Sequence, residues 1–291
     1  MSFPCLSILD PLLIEKMIPK KIHYCWFSND PYPPVVLDCI ASWKKYMPDW
    51  EYVLWDYDKV KDIDSVWLKE CLQAKKWAFA ADFIRLWAVY HEGGIYLDSD
   101  VLIYKSFSPF LRHKLFIGRE TVCYPTFDYG RQVFLTSHCF GAEAGHPFLE
   151  LNLKYYQDRH FVQCSAEDVP NALRYDMLML PFIQSRLAEE YGYNPSEGAD
   201  FRQDLQHDMT VYPAEYFGWD PRQPSILKRV AEHLGQGSWR EPEFWKFHKG
   251  HDNSRPITLS YKIRWRMVAL LRYFAKKMDY GIVRLHPDGR E

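Results

Sequence analysis

The chain has 291 residues, 47% of them apolar and 17% aromatic, and a formal net charge of -2. That size and apolar share suffice for one sizeable core, and the near-neutral balance leaves no global positive field to recruit nucleic acid. No apolar run approaches the ~20 residues of a membrane-spanning helix. The seven cysteines are scattered without C-x-x-C spacing, which fits free thiols in a reducing compartment rather than a disulfide framework or a zinc site. With no signal-peptide pattern, the expected location is the cytoplasm.

Residues 1–16 match no nameable element. Ile22 to Phe27 is a short apolar-aromatic run between Pro19-Lys20-Lys21 and the turn formers Ser28-Asn29-Asp30-Pro31, the pattern of a buried strand. Asp30 to Pro34 is a proline-rich loop. Val36 to Tyr46 carries helical spacing at Ile40 and Trp43, continued at Met47, and Glu51 to Trp55 reads as a second strand. Together they predict a β-α-β unit of an open α/β sheet, which binds ligands beyond the carboxyl ends of its strands. Ser65 to Ala74 is a further predicted helix.

Next comes the densest signal. Phe79, Phe83, Leu86, Trp87 and Tyr90 recur at the spacing of a buried helical face. Asp82 and Arg85, three apart, are neighbours on another face, either as a surface ion pair or as a polar pair aimed at a pocket. Gly93 and Gly94 stop the helix. Ile95-Tyr96-Leu97 then leads into Asp98-Ser99-Asp100, whose carboxylates would share one side of an extended backbone. Two such carboxylates repel unless a hard divalent cation sits between them. The plainer reading of the three residues alone is a solvated turn.

Taken whole, Ala78 to Asp100 (AFAADFIRLWAVYHEGGIYLDSD) closely resembles the central block of the D-x-D glycosyltransferases of family 32, the capsular-polysaccharide and mannosyltransferase type. A similar block occurs in the glucosylating domains of large clostridial toxins. The resemblance implies a GT-A-like α/β fold: a Rossmann-like nucleotide-binding domain with a mostly parallel sheet, over residues 17–258. It also implies a UDP- or GDP-sugar donor, Mn²⁺ or Mg²⁺ on Asp98 and Asp100, and transfer with retention of configuration. Asp82 and Arg85 would bond donor sugar hydroxyls or the ribose, Arg85 being also placed for phosphate charge. Tyr96 belongs to the same donor-binding block. In proteins this sequence resembles, the end of the first strand holds the nucleotide base, so Trp26 is the candidate stacking platform, or else a core tryptophan. Met17-Ile18-Pro19-Lys20-Lys21-Ile22-His23 resembles a family start, making residues 1–16 an extension.

Beyond Asp100, Val101 to Tyr104 and Leu115 to Gly118 read as strands. Between Arg119 and Thr136 periodicity weakens, as for an acceptor-binding segment or an ordinary surface loop. Ser137 to Pro147 resembles the family's strand end and small-residue turn; His138 in it receives no role, and His146 is a turn residue. Pro147 opens a helix. A longer helix is expected over Asn171 to Tyr191, kinked or split at Pro181. Val211 to Phe217 resembles a late family strand, with Glu215 either reaching the pocket or, as the plainer reading, on the surface.

In relatives of this kind a His or Asn near the C-terminus often closes the metal shell. His248 is the candidate, His251 its rival, and Lys249 suits a diphosphate. Residues 259–291 form a basic amphipathic helix and tail. Ile263, Met267, Leu270, Leu271 and Phe274 make its apolar stripe, beside Arg264, Arg266, Arg272, Lys276 and Lys277. Residues 259–278 would lie on an anionic membrane face or dock on the core.

The expected function is metal-dependent sugar transfer from a nucleotide sugar to a glycan or lipid-linked acceptor, in bacterial surface polysaccharide synthesis. A catalytically inactive sugar-nucleotide-binding protein and a metal-dependent phosphohydrolase are the alternatives.

Overall fold

The computed structural model describes residues 17–126, 130–165, 174–218 and 228–235. It opens with the expected β-α-β unit: β1 (Lys21–Cys25), α1 (Pro34–Tyr46) and β2 (Glu51–Trp55), the strands parallel from Lys21↔Glu51 to Cys25↔Trp55. Pro34 starts α1 because its ring presets a helical φ and its missing N–H is not needed there. Val36, Cys39 and Trp43 then give the helix a buried face. Two short helices, α2 (Tyr57–Val60) and α3 (Val66–Gln73), follow, each capped by the side chain before it: Asp56 accepts from the Lys59 N–H, and Ser65 from the Leu68 N–H.

Helix α4 (Trp77–Glu92) stops at Gly93, and β3 (Gly94–Leu97) enters the sheet beside β1. Gly93 has φ 65°, and a Cβ on Gly94 would come within 2.8 Å of the Lys21 carbonyl oxygen, so this reversal requires glycine twice. His23 fastens it from β1. Its Nδ1 accepts from Trp55, so its Nε2–H donates to the Gly93 carbonyl at 2.7 Å. Buried there, the His23 imidazole titrates below its usual range.

After β4 (Val101–Ile103) come β5 (Leu115–Thr126) and β6 (Gly130–Ala142), then α5 (Pro147–Tyr156), α6 (Leu180–Glu189), β7 (Gln203–Asp204), β8 (Met209–Tyr212), α7 (Ala214–Phe217) and β9 (Ala231–His233). The main sheet runs β2-β1-β3-β6-β5-β8-β7, with β6 and β7 alone among these running against the rest. It is the mostly parallel α/β sheet expected from the sequence. Helices α3, α4, α5 and α6 pack one apolar layer with Trp67, Phe79, Phe83 and Tyr156. On the opposite side, α1, α7 and the small β4–β9 sheet enclose Trp43, Phe107, Phe116 and Phe217.

Four expectations change. Residues 119–136 are largely not a loop: β5 and β6 continue through most of the stretch as an antiparallel hairpin whose register shifts near Arg119 hide the alternation. Of the helix expected over Asn171 to Tyr191, α6 covers Leu180 to Glu189 with Pro181 in its first turn, where proline is accepted, and Asp176 to Met179 before it are not helical. The late strand ends at Tyr212 and passes into α7 after Pro213. Glu215 is buried rather than on the surface and pairs with Lys228 at 2.7 Å. The extension 1–16, residues His248, Lys249 and His251, and the segment 259–291 lie outside the described residues.

Candidate functional site

The carboxyl end of β3 delivers the two aspartates, by a different geometry from the one expected. Residues 98–100 do not continue the extended strand. They form a turn in which the Val101 N–H returns to the Asp98 carbonyl at 3.0 Å. The turn still gathers both side chains on one side, and β4 leaves it directly.

Asp98 is held by its neighbours. Its Oδ1 accepts from the Tyr96 hydroxyl at 2.9 Å and lies 3.2 Å from Arg85 Nη2. Arg85 also reaches Asp82 Oδ1 at 3.1 Å and donates from Nη1 to the Ser137 carbonyl at 2.7 Å and from Nε to the Ala81 carbonyl at 3.2 Å. Its guanidinium lies over the Tyr96 ring, 4.8 Å from the centroid. Asp82, Arg85 and Tyr96 are all buried, so the pair is not a surface salt bridge. Burial pushes the Asp82 carboxyl up to about 6; Arg85 opposes that and the Asp98 charge adds to it. The Tyr96 hydroxyl is likewise held far above its usual range, first by burial and then by Asp98.

The third arm is one that sequence reasoning missed. His233 Nε2 lies 3.2 Å from Asp100 Oδ1 and 3.9 Å from Asp98 Oδ2. Strand β9 carries it, paired antiparallel to β4 with His233 opposite Val101, and the Leu234 N–H bonds the Asp100 carbonyl. Burial disfavours the imidazolium, but Asp100, Asp98 and Glu120 outweigh it and hold His233 up to about 9. Among the described residues, Asp98, Asp100 and His233 form a group able to hold a metal ion, each offering a ligand atom within 4.8 Å of the others. Two carboxylate oxygens and an imidazole nitrogen, partly open to solvent, fit a divalent cation such as Mn²⁺, and Mg²⁺ if water completes its octahedron.

Trp26 follows β1 at the same rim of the sheet, since β1 and β3 are parallel with His23 beside Tyr96. It is half-buried; its Nε1–H donates to the Asp30 carbonyl at 3.0 Å, and its ring meets Tyr32 edge-on. Asp82, Arg85, Tyr96, Asp98 and Asp100 are thus one connected cluster, with Trp26 on its rim. Cys25, Cys39, Cys71, Cys139 and Cys164 are free thiols, and no described helix is long and apolar enough to cross a membrane.

Residues 33–117, which contain this turn and α4, match the family described as glycosyltransferase sugar-binding region containing DXD motif. Inositol phosphoceramide mannosyltransferase 3 of Schizosaccharomyces pombe is 30% identical over 136 residues, 45% of this chain and 35% of that protein. Inositol phosphoceramide mannosyltransferase 1 of the same yeast is 25% identical over 156 residues, 50% of this chain and 46% of that protein. The chain therefore spans less than half the length of these curated relatives. Among solved structures, the PaToxG glycosyltransferase aligns over 60% of this chain and 70% of its own at 17% identity, with a TM-score of 0.40. The similarity to D-x-D glycosyltransferases thus centres on residues 33–117, the stretch that holds α4 and the aspartate turn.

Proposed function

We propose that the chain is a metal-dependent glycosyltransferase, catalytic over residues 17–258, that moves a sugar from a UDP- or GDP-sugar to a glycan or lipid-linked saccharide. The observation that carries this reading is the convergence of Asp98, Asp100 and His233 at the end of β3, beside the buried Asp82–Arg85 pair. A cation held there supplies Lewis-acid stabilisation of the charge that gathers on the leaving diphosphate.

The chain's own groups prepare that site. Tyr96 and Arg85 engage Asp98 Oδ1, and Oδ2 lies between Arg85 Nη1 at 3.4 Å and His233 Nε2 at 3.9 Å. Arg85 spends its donors on Asp82, Asp98 and two backbone carbonyls, so it acts on the donor through Asp98. Tyr96 does the same with its hydroxyl. Trp26 offers a ring to the nucleotide base. His233 takes the place first given to His248 as third ligand, and Lys249 keeps its expected role toward the diphosphate.

The yeast relatives are named for mannosyl transfer to a phosphoceramide lipid, which makes a mannose donor the first to try and suits a lipid-linked acceptor. Retention, a place in surface polysaccharide synthesis, and peripheral contact of 259–278 with the inner face of the cytoplasmic membrane belong to the same proposal on resemblance and charge pattern. The test is a screen of UDP-, GDP- and other nucleotide sugars for Mn²⁺-dependent slow hydrolysis and thermal stabilisation. One donor should be hydrolysed and should raise Tm only with the cation. Indifference to every nucleotide sugar, with and without Mn²⁺, overturns the reading.

A further inference from the structure

His138 lies on β6 next to Cys139, which pairs with Leu97 at the end of β3. It touches both arms of the candidate metal centre by different means. Its backbone carbonyl accepts the Asp98 N–H at 2.9 Å, pinning the start of the aspartate turn. Its ring lies flat against the His233 ring, with centroids 4.5 Å apart and planes 16° from parallel.

The His138 ring is itself fixed. It is 2% exposed, and its Nε2 lies 3.0 Å from the Phe217 carbonyl, which can only accept, so Nε2 carries the proton. Its Nδ1 faces Glu120 Oε1 at 3.7 Å. With Nε2 engaged by that carbonyl and Nδ1 turned to Glu120, neither nitrogen is presented to Asp98 or Asp100, and His138 is not a further ligand.

His233 needs such support. Its strand is three residues long and pairs with β4, which places its backbone but leaves χ1 and χ2 free to swing the ring. A cation bound at Nε2 must lie near the imidazole plane, so the ring's tilt decides whether the lone pair points at the space shared with Asp98 and Asp100. Partners that orient a ligating histidine commonly hold its other nitrogen; here the contact is through the ring face. We infer that His138 is a positioning residue, a flat buried platform that sets the plane of the His233 imidazole while its backbone sets Asp98. This rests on the metal-centre reading proposed above.

The experiment measures Mn²⁺ affinity by calorimetry, and the visible absorption of bound Co²⁺, in full-length wild type, His138→Leu and His138→Phe. Leucine fills the space without a flat face; phenylalanine restores the face without the Phe217 bond. All three keep the backbone contact to Asp98. His138→Leu should bind Mn²⁺ roughly 10- to 100-fold more weakly and alter the Co²⁺ spectrum. His138→Phe should stay within a few-fold of wild type, with the wild-type spectrum. Wild-type affinity in His138→Leu, or a loss in His138→Phe equal to that in His138→Leu, overturns the inference. If His138→Leu fails to fold, the Co²⁺ spectrum of His138→Phe decides: unchanged, the platform stands; changed, it falls. Wild type without saturable Mn²⁺ binding would instead remove the metal centre, a result distinct from either.

Discussion

His233 stands opposite Val101 in the antiparallel pair of β4 and β9, so the strand that bears the imidazole is bonded to the strand that leaves the aspartate turn. The three metal-ligand candidates are therefore fixed by adjoining backbone and not by a flexible loop meeting a rigid one. That arrangement makes each ligand testable by itself.

Asp98→Asn and Asp100→Asn should each abolish cation-dependent donor turnover; Asp100→Asn should melt close to wild type, whereas Asp98→Asn also removes a charge partner of the buried Arg85 and should melt lower. Losing one transition-state charge contact of this kind costs several kcal/mol, a rate loss of a hundredfold or more. Full turnover of either variant, at saturating donor and Mn²⁺, would remove the carboxylates from the chemistry.

If His233 ligates the cation as proposed, binding has to displace a proton from its ring, whose pKa is raised to about 9. Affinity for Mn²⁺ should rise with pH, by up to tenfold per unit, and level off near pH 9. Titrations in buffers of different ionisation enthalpy should show one proton released per cation at pH 7.5. His233→Ala should bind weakly and lose that release, whereas His248→Ala should keep both.

Arg85 joins two carboxylates that have little water to fall back on. Arg85→Met leaves Asp82 and Asp98 without their shared cation and should destabilise by about 3–5 kcal/mol in urea unfolding. Arg85→Lys should recover only part, since an ammonium cannot reproduce the fork that meets Asp82, Asp98 and the Ser137 carbonyl.

Burial raises the folded pKa of Asp82 to about 6, from about 4 for a free Asp side chain. Its contribution to stability is complete below about pH 4 and is lost as pH rises through about 6, because the unfolded chain ionises first. Unfolding free energies of wild type minus Asp82→Asn should therefore fall across that window, by on the order of 3 kcal/mol, and stay flat above it. A difference independent of pH between 3.5 and 7 would contradict the burial-driven shift.

Trp26→Ala should weaken free nucleotide and nucleotide sugar equally if its ring stacks the base, by about 1–3 kcal/mol on the analogy of aromatic–base stacking in nucleic-acid binders. Unchanged nucleotide affinity in a folded variant would return Trp26 to the core.

Much of this was legible in the residues because it is local. The β1-α1-β2 unit, the glycine stop after α4 and the aspartate pair all follow from period, proline and glycine within short windows. Extended backbone and a turn are both open at Asp98–Asp100 in the sequence, because an i, i+2 pair can converge either way. His233 was invisible: Ala231-Glu232-His233 is too short for periodicity, and its role depends on pairing with a strand far back in the chain. His138 carried no signal either, since stacking against a distant histidine has no sequence spacing. The Asp82–Arg85 pair left its burial open, because i, i+3 charges look alike on a solvated face and on one that α6 and β6 cover.

Tyr104, just past β4, is hydrogen-bonded to Glu232, just before His233, across 128 residues of sequence. At a synthesis rate of about 5–20 residues per second, the aspartate turn leaves the ribosome roughly 7–27 s before the imidazole that completes it. Throughout that interval the nascent chain presents the two carboxylates without His233, so on the proposed reading cation capture would be a late event in its biogenesis. Any translation product that ends before β9 would keep residues 33–117 whole and lack the imidazole of the proposed metal centre.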